Sequence, residues 1–344
     1  MKRNILSSYG LLLLLLLLVL SACQANDSYP TDYEQLSEEE RLVIRFSHVV
    51  GEDTPKGMAA RKFAELVKER SDGYIEVQVF SNGTLYKDNE ELDALTRGDI
   101  QMIAPATSKL THLVPEISVL DLPYAFRTLD EVHDYLQSGV GKELASKLEA
   151  HNLYSLGIWD SGFKQLSNNI RAIYTLADLE GMNMRIMPSD VLHKQFEIVG
   201  ANSKKTDFNT VFTELKNGGV DGQENTLSNI SSKNLYSLQN YLTISNHGYL
   251  GYLVLFNHDF WKELSPDVQE ILESALQEVQ QWQWDLVNEL NLKKLEEIRQ
   301  CECVDIYTLP EEERYRWEKA FEPVYQYYRV RYPIRFIQAL PRFS

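Results

Sequence analysis

Arg185 sits in a run that a glycine opens and a proline closes, Gly181-Met182-Asn183-Met184-Arg185-Ile186-Met187-Pro188. The methionines and isoleucine around it predict a short apolar strand, in which a guanidinium is at least half buried. Lys164 follows a glycine turn in Trp159-Asp160-Ser161-Gly162-Phe163-Lys164-Gln165. A cation inside an apolar strand needs an anion, because an unpaired buried charge is costly. In a chain of formal net charge -16 that anion is either an Asp or Glu, giving a structural salt bridge, or a bound ligand. In both cases the chemistry is charge-assisted hydrogen bonding, not bond making.

The elements that must place these cations read as α/β. Leu42 to Val49 alternates into a strand, and Thr54-Pro55 opens a helix as N-cap and first helical residue, with Ala59, Phe63, Leu66 and Val67 on its apolar stripe. Ile75, Val77 and Val79 make a second strand, Asn89 to Arg97 a helix that Gly98 ends, and Ile100 to Ala104 a third strand. That order predicts a mostly parallel sheet with helices on its faces, whose ligands lie at the carboxyl ends of the strands, here Ser47-His48-Val49 and Pro105-Ala106-Thr107. Ser161 to Leu250 repeats the alternation: a helix over Asn209 to Lys216, then strands over Tyr241 to Ser245 and Tyr249 to Phe256. Ser265-Pro266-Asp267 opens a helix running to about Gln300, with Val268, Leu272, Ala275, Val279, Trp282, Leu286 and Leu290 on one stripe. At about 1.5 Å per residue it is on the order of 50 Å long, enough to cross from one lobe to another. The tail from Pro310 to Ser344 reads as a helical, Tyr- and Arg-rich cap.

A chain of 344 residues suits two lobes better than one core. Met1 to Cys23 runs from a basic start through a leucine stretch to Leu20-Ser21-Ala22-Cys23. That is the order of a signal peptide, 1–22, and its ending resembles a bacterial lipobox with Cys23 as the acylated first residue. Residues 23–40 are polar and acidic, a flexible tether. The protein is therefore expected outside the cytoplasm, lipid-anchored to the membrane. Its acidity excludes general nucleic-acid binding, which needs basic surface. Cys301 and Cys303 are too few and too close together for a disulfide scaffold or a zinc site, and are expected to be packing residues.

Motifs for chemistry are missing. Gly139-Val140-Gly141-Lys142 resembles the end of a phosphate loop, but Leu136 breaks the spacing. There is no Gly-x-Ser-x-Gly elbow, no His-Glu-x-x-His, and no strand followed by Gly-x-Gly-x-x-Gly, while the seven histidines are scattered. The expectation is a binding protein, not an enzyme, with no cofactor and no metal.

Seven segments in one order carry a resemblance. They are Phe46 to Val50 with Thr54 to Gly57, Asp121-Leu122-Pro123-Tyr124, Trp159 to Gln165, Gly181 to Pro188, Val220 to Asn225, and Ser245 to Tyr252. Together they resemble the extracytoplasmic solute-binding subunits of tripartite ATP-independent periplasmic (TRAP) transporters, from about Val43 to the C-terminus. The resemblance implies a two-lobed periplasmic-binding-protein-like clamp with a long helix spanning both lobes. Lobe I would be 41–160 plus about 251–290, and lobe II 161–250 plus about 291–344. It places the carboxylate-binding arginine on Arg185, a second cation on Lys164, an amide partner on Asn225 and a closing aromatic on Phe208. His48, Lys56 and His247 are second-rank ligand candidates. Arg suits a carboxylate because its planar fork can hold both oxygens and its charge does not titrate away.

Two departures bear on the ligand and a third, at Thr226, on the rigidity of a turn. The sialic-acid branch has Arg where this chain has Lys164, and an acid where it has Ala106. The Phe-Lys pair resembles the branch that binds C4-dicarboxylates such as succinate, fumarate and malate. Thr226 replaces a common proline after Asn225. The partners implied are a small dicarboxylate and the membrane subunits of a TRAP transporter, with the binding protein itself a monomer. The alternative is a dicarboxylate-sensing protein that signals to a membrane histidine kinase.

Overall fold

The computed structural model describes residues 41–343; the signal peptide, Cys23 and the tether lie outside them. Among the described residues, eleven strands form two sheets. The first has the order β2 (Ile75–Phe80), β1 (Leu42–Ser47), β3 (Met102–Ile103), β10 (Tyr249–Asn257), β4 (Leu153–Phe163). The second runs β11 (Asp305–Thr308), β9 (Tyr241–Ile244), β5 (Gln165–Asn168), β8 (Gly222–Asn225), β6 (Asn183–Ile186), β7 (Asn202–Lys205). Both are mixed rather than mostly parallel. β1 pairs in parallel with β2 and β3, but β10 returns from the second sheet and lies antiparallel to both β3 and β4.

The chain passes between the sheets along two neighbouring paths. β4 continues into β5 through Lys164, and β9 leads to β10 through Ser245 to Gly248, with Lys164 N donating to Gly248 O at 2.7 Å. The helix Pro266–Gln300 adds a third connection of 35 residues. It caps the free edge of β4 with amide side chains. Gln280 Oε1 accepts from Ile158 N at 2.8 Å, and Asn291 Nδ2 donates to Ser161 O at 2.9 Å. Asn291 Oδ1 also accepts from Ser228 N at 3.0 Å, which ties the helix to the second sheet's side. Its buried stripe departs from the expected one after Val279. Gln283 and Val287 are buried where Trp282 and Leu286 were expected, because a polar residue with a full set of partners fills the stripe.

The helix Pro55–Arg70 begins as expected, with Thr54 Oγ1 accepting from Gly57 N at 3.1 Å. Gly57 lets it pack closely on the loop that follows β1, since a Cβ there would stand 2.3 Å from Gly51 O. That approach buries Lys56 in the first turn. The cysteines are not packing residues. Both are exposed and joined in a disulfide, with Cα atoms 5.1 Å apart, within the usual span of such bonds. Glu302 between them takes a left-handed φ of 52°, and this tight turn at the helix end brings them together. Among the described residues no helix is long and apolar enough to cross a membrane.

Candidate functional site

Arg185 pairs in register with Gln223 of β8 and Lys204 of β7, so it occupies the interior of the second sheet. Met184 and Ile186 alternate into the core, and Arg185 points the other way with 1% of its surface exposed. Its Nε and Nη2 donate to Thr206 O at 3.0 and 2.7 Å, and among the described residues no carboxylate lies within ion-pair distance. Burial lowers its affinity for the proton, while Asp88, Glu224 and Asp207 at longer range oppose that effect. The guanidinium stays charged. Its second edge has no hydrogen-bond partner among the described residues.

Lys56 approaches from the first sheet's side and is equally buried. Its Nζ donates to Ala104 O at 2.8 Å and lies 3.7 Å from the centre of the Tyr252 ring. Burial pulls its pKa down to about 8, against the fields of Glu91 and Asp88. It too has no carboxylate in contact among the described residues. Arg185 and Lys56 line one cavity of about 30 Å³ together with Phe208, Asn225, Asp88, Lys109, Tyr252, Asn229 and the apolar Val49, Val50, Ala106, Met187 and Leu250. Among the described residues this lining sets three cations against one carboxylate. Asn225 Oδ1 accepts from Thr226 N at 3.0 Å and Asn229 Nδ2 at 2.9 Å, leaving the Asn225 amide NH₂ as the group it can offer.

Of the seven residues expected at the site, four therefore meet here: Arg185, Lys56, Asn225 and Phe208. The other three lie behind it. Lys164 is buried with Nζ 2.6 Å from Glu224 Oε1, and His247 Nε2 is 2.8 Å from Glu224 Oε2. Burial alone would raise the Glu224 carboxyl, but Lys164 and His247 hold it at about 2. Glu224 thus ties both paths between the sheets to the strand that ends in Asn225. His48 is fully buried, with no side-chain hydrogen-bond partner among the described residues. Burial, then the Lys56 charge, hold it at about 3, so it is neutral. Thr226 supplies what a proline would not, a hydroxyl 2.8 Å from Ser161 Oγ on β4.

Asp88 and Lys109 escape sequence reasoning because Asp88 sits in a turn and Lys109 in a single 3-10 turn, Thr107–Leu110, both too short to carry a periodic signal. Tyr252 and Glu224 stand inside quoted motifs, and only the fold gives them roles. Larger cavities exist elsewhere. One of about 280 Å³ is lined mainly by aliphatic residues around Leu144, Leu156 and Trp284, and one of about 350 Å³ by Arg127, Glu131 and Arg342 near Tyr124. Neither holds a buried cation without a carboxylate partner, so size alone does not mark the site. Among the described residues no group of three or more His, Cys, Asp or Glu could hold a metal ion.

Residues 46–330 match the model of the bacterial extracellular solute-binding proteins, family 7, DctP. The chain belongs to this family. The C4-dicarboxylate-binding protein DctB of Bacillus subtilis is 46% identical to this family 7 protein over 300 residues, 87% of this chain and 85% of the relative. Among solved structures, a TRAP periplasmic solute-binding protein from Shewanella oneidensis with bound succinate is 36% identical with a TM-score of 0.85, covering 88% of this chain and 99% of its own. One from Pseudomonas aeruginosa with bound L-malate is 34% identical with a TM-score of 0.81, covering 83% and 99%. Family membership makes this an extracytoplasmic binding protein of the two-lobed TRAP type rather than an enzyme.

Proposed function

We propose that this protein captures C4-dicarboxylates, succinate and malate among them, between its two lobes and delivers them to the membrane subunits of a TRAP transporter. One observation carries the reading: two fully buried cations, Arg185 and Lys56, reach one cavity from different sheets, and neither has a carboxylate in contact. A dianion with a carboxylate at each end supplies both. Arg185 holds one carboxylate with its free edge, the Asn225 NH₂ donates alongside, and Lys56 meets the other end. Lys164 and His247 act through Glu224, keeping Asn225 in place. The names of the B. subtilis relative and of the succinate- and malate-bound structures point the same way.

The cavity of about 30 Å³ has space on the order of one or two waters, so a four-carbon acid enters only when the lobes part. The lobes are taken as 41–160 plus about 251–290 and 161–250 plus about 291–344, turning about the two crossing paths and the long helix. Closure then excludes water and strengthens each ion pair. Acylation at Cys23 would hold the protein at the membrane where its partner sits, and mass spectrometry of the mature N-terminus tests it.

The function is tested by thermal unfolding against succinate, fumarate, L-malate, sialic acid, pyruvate and glutamate. A ligand at about a hundred times its dissociation constant adds roughly 2.7 kcal/mol. Stabilisation by the four-carbon diacids alone is the expected result, and stabilisation by a monoacid only would discard the ligand class. Capture of the ligand-loaded protein by TRAP membrane subunits in nanodiscs tests delivery. Capture by a sensor kinase instead would make the protein a sensor.

A further inference from the structure

The segment Thr206-Asp207-Phe208-Asn209 follows edge strand β7 of the second sheet, yet the side chains of Asp207 and Asn209 bond to the first sheet's loops. Asp207 Oδ1 meets Lys109 Nζ at 3.0 Å, and the same ammonium lies 3.3 Å from Asp88 Oδ2. Asp88 Oδ2 accepts from Phe208 N at 2.8 Å, while Asp88 N donates to Asn209 Oδ1 at 2.8 Å. Asn209 Nδ2 reaches Asn82 O at 3.4 Å. It is seated against Gly83, where a Cβ would come within 2.6 Å of that nitrogen and where φ is +66°, a left-handed value that suits glycine. At its other end the segment offers Thr206 O to Arg185.

We propose that residues 206–209 form a latch: Asp207 and Asn209, which do not line the cavity, lock the lobes over a bound ligand and set how long it stays. The ion pair and the reciprocal backbone and amide bonds exist only while the two lobes meet. They couple closure to the Arg185 carbonyl partner, so release of the latch frees both the lobe and the guanidinium. Asp207 is 31% exposed at its side chain, so water competes for this pair as the lobes part, and release needs no buried charge to be stranded. The inference rests on the dicarboxylate reading for its ligand measurement and is independent of it for its exchange measurement.

The test uses the full chain and the variants Asp207→Asn and Asn209→Ala. Succinate and L-malate dissociation are followed by stopped flow, and hydrogen exchange of the Phe208 amide, which Asp88 accepts, is followed without ligand. Each variant is expected to release succinate roughly fivefold faster, the loss of one partly exposed contact. Association rates and the ratio of succinate to malate affinity should hold, and the Phe208 amide should exchange faster. An unchanged dissociation rate overturns the latch, as does an altered succinate-to-malate ratio, which would make these residues ligand contacts. Unchanged Phe208 exchange overturns it as well. If the unaltered protein binds neither diacid, the dicarboxylate reading fails, and the exchange result alone decides the latch.

Discussion

Gln283 completes the backbone of Asp160 as a neighbouring strand would: its Oε1 accepts from Asp160 N at 3.0 Å and its Nε2 donates to Asp160 O at 2.5 Å. Edge strand β4 thereby gains a partner made of helix side chains, and the Asp160 carboxylate is free to accept from His133 and Tyr249. Gln283→Leu keeps the volume but leaves two buried backbone groups unpaired, at about 1–3 kcal/mol each. Urea unfolding should show a loss of roughly 2–5 kcal/mol, against a change within about 0.5 kcal/mol for the exposed Gln281→Leu. Equal losses in the two variants would mean that the amide pairing contributes nothing.

Gln283 also shows where sequence reading stops. The long helix was legible from its Ser-Pro-Asp start and its length, and so was its role as a bridge. The stripe failed at residue 283 because hydrophobic periodicity cannot see a glutamine whose polar atoms are all satisfied. The site was legible in the same measure. Arg185 stood out by its place between a glycine and a proline, whereas Asn225 was named only through the family resemblance. The division between Lys56 inside the cavity and Lys164 behind it depends on which cation has Glu224 at 2.6 Å, a contact spanning sixty residues that no local pattern encodes. The parallel-sheet expectation failed for a related reason. β10 belongs to the first sheet but arrives after an excursion through the second, and its direction follows from that path and not from its own residues.

The buried, unpaired cations predict that binding and stability separate. Removing a buried charge that lacks a counter-ion costs the fold little, because its own desolvation is relieved. Lys56→Met and Arg185→Met should each change unfolding free energy by no more than about 1 kcal/mol, the relief offsetting the orphaned Ala104 or Thr206 carbonyl. Succinate affinity should meanwhile fall roughly 30-fold or more, the loss typical of one partner in a buried charge pair. Calorimetry paired with denaturation checks both. A variant that loses about 3 kcal/mol of stability and keeps its affinity would show a structural cation.

Lys164 should behave in the opposite way. Lys164→Met strands Glu224 in the interior with His247 as its remaining partner, and breaking a buried pair from one side costs about 3–5 kcal/mol. The double variant Lys164→Met with Glu224→Gln removes the stranded charge and should recover at least half of that loss, a coupling that a double-mutant cycle reads directly. If Lys164→Met instead kept its stability and lost succinate affinity, Lys164 would contact the ligand itself.

Several buried groups shape the acid profile, His48, Glu224 and Glu91 among them. His48 binds its proton in the unfolded chain near 6.5 but in the folded one only near about 3, so it contributes stability that is lost as pH falls through that window. Glu224, held at about 2 against 4.5, contributes stability lost between those values. Glu91 runs the other way. Burial raises it to about 7 beside Ser47, so the folded state takes up its proton first, and acidification from 7 to 4.5 adds stability. Each group acts with a slope of about 1.4 kcal/mol per pH unit while its two states differ. His48 and Glu91 therefore oppose each other down to about 4.5, with His247, also lowered by burial, on the side of His48, so stability should fall only gently there. Below that, His48 and Glu224 act together, and stability should drop by roughly 3 kcal/mol per unit. Denaturation stepped from neutral to about pH 3 checks the profile. His48→Gln should remove one of the groups opposing Glu91, so that this variant loses less stability on mild acidification than the unaltered protein, and a parallel pair of curves would remove His48 from the account.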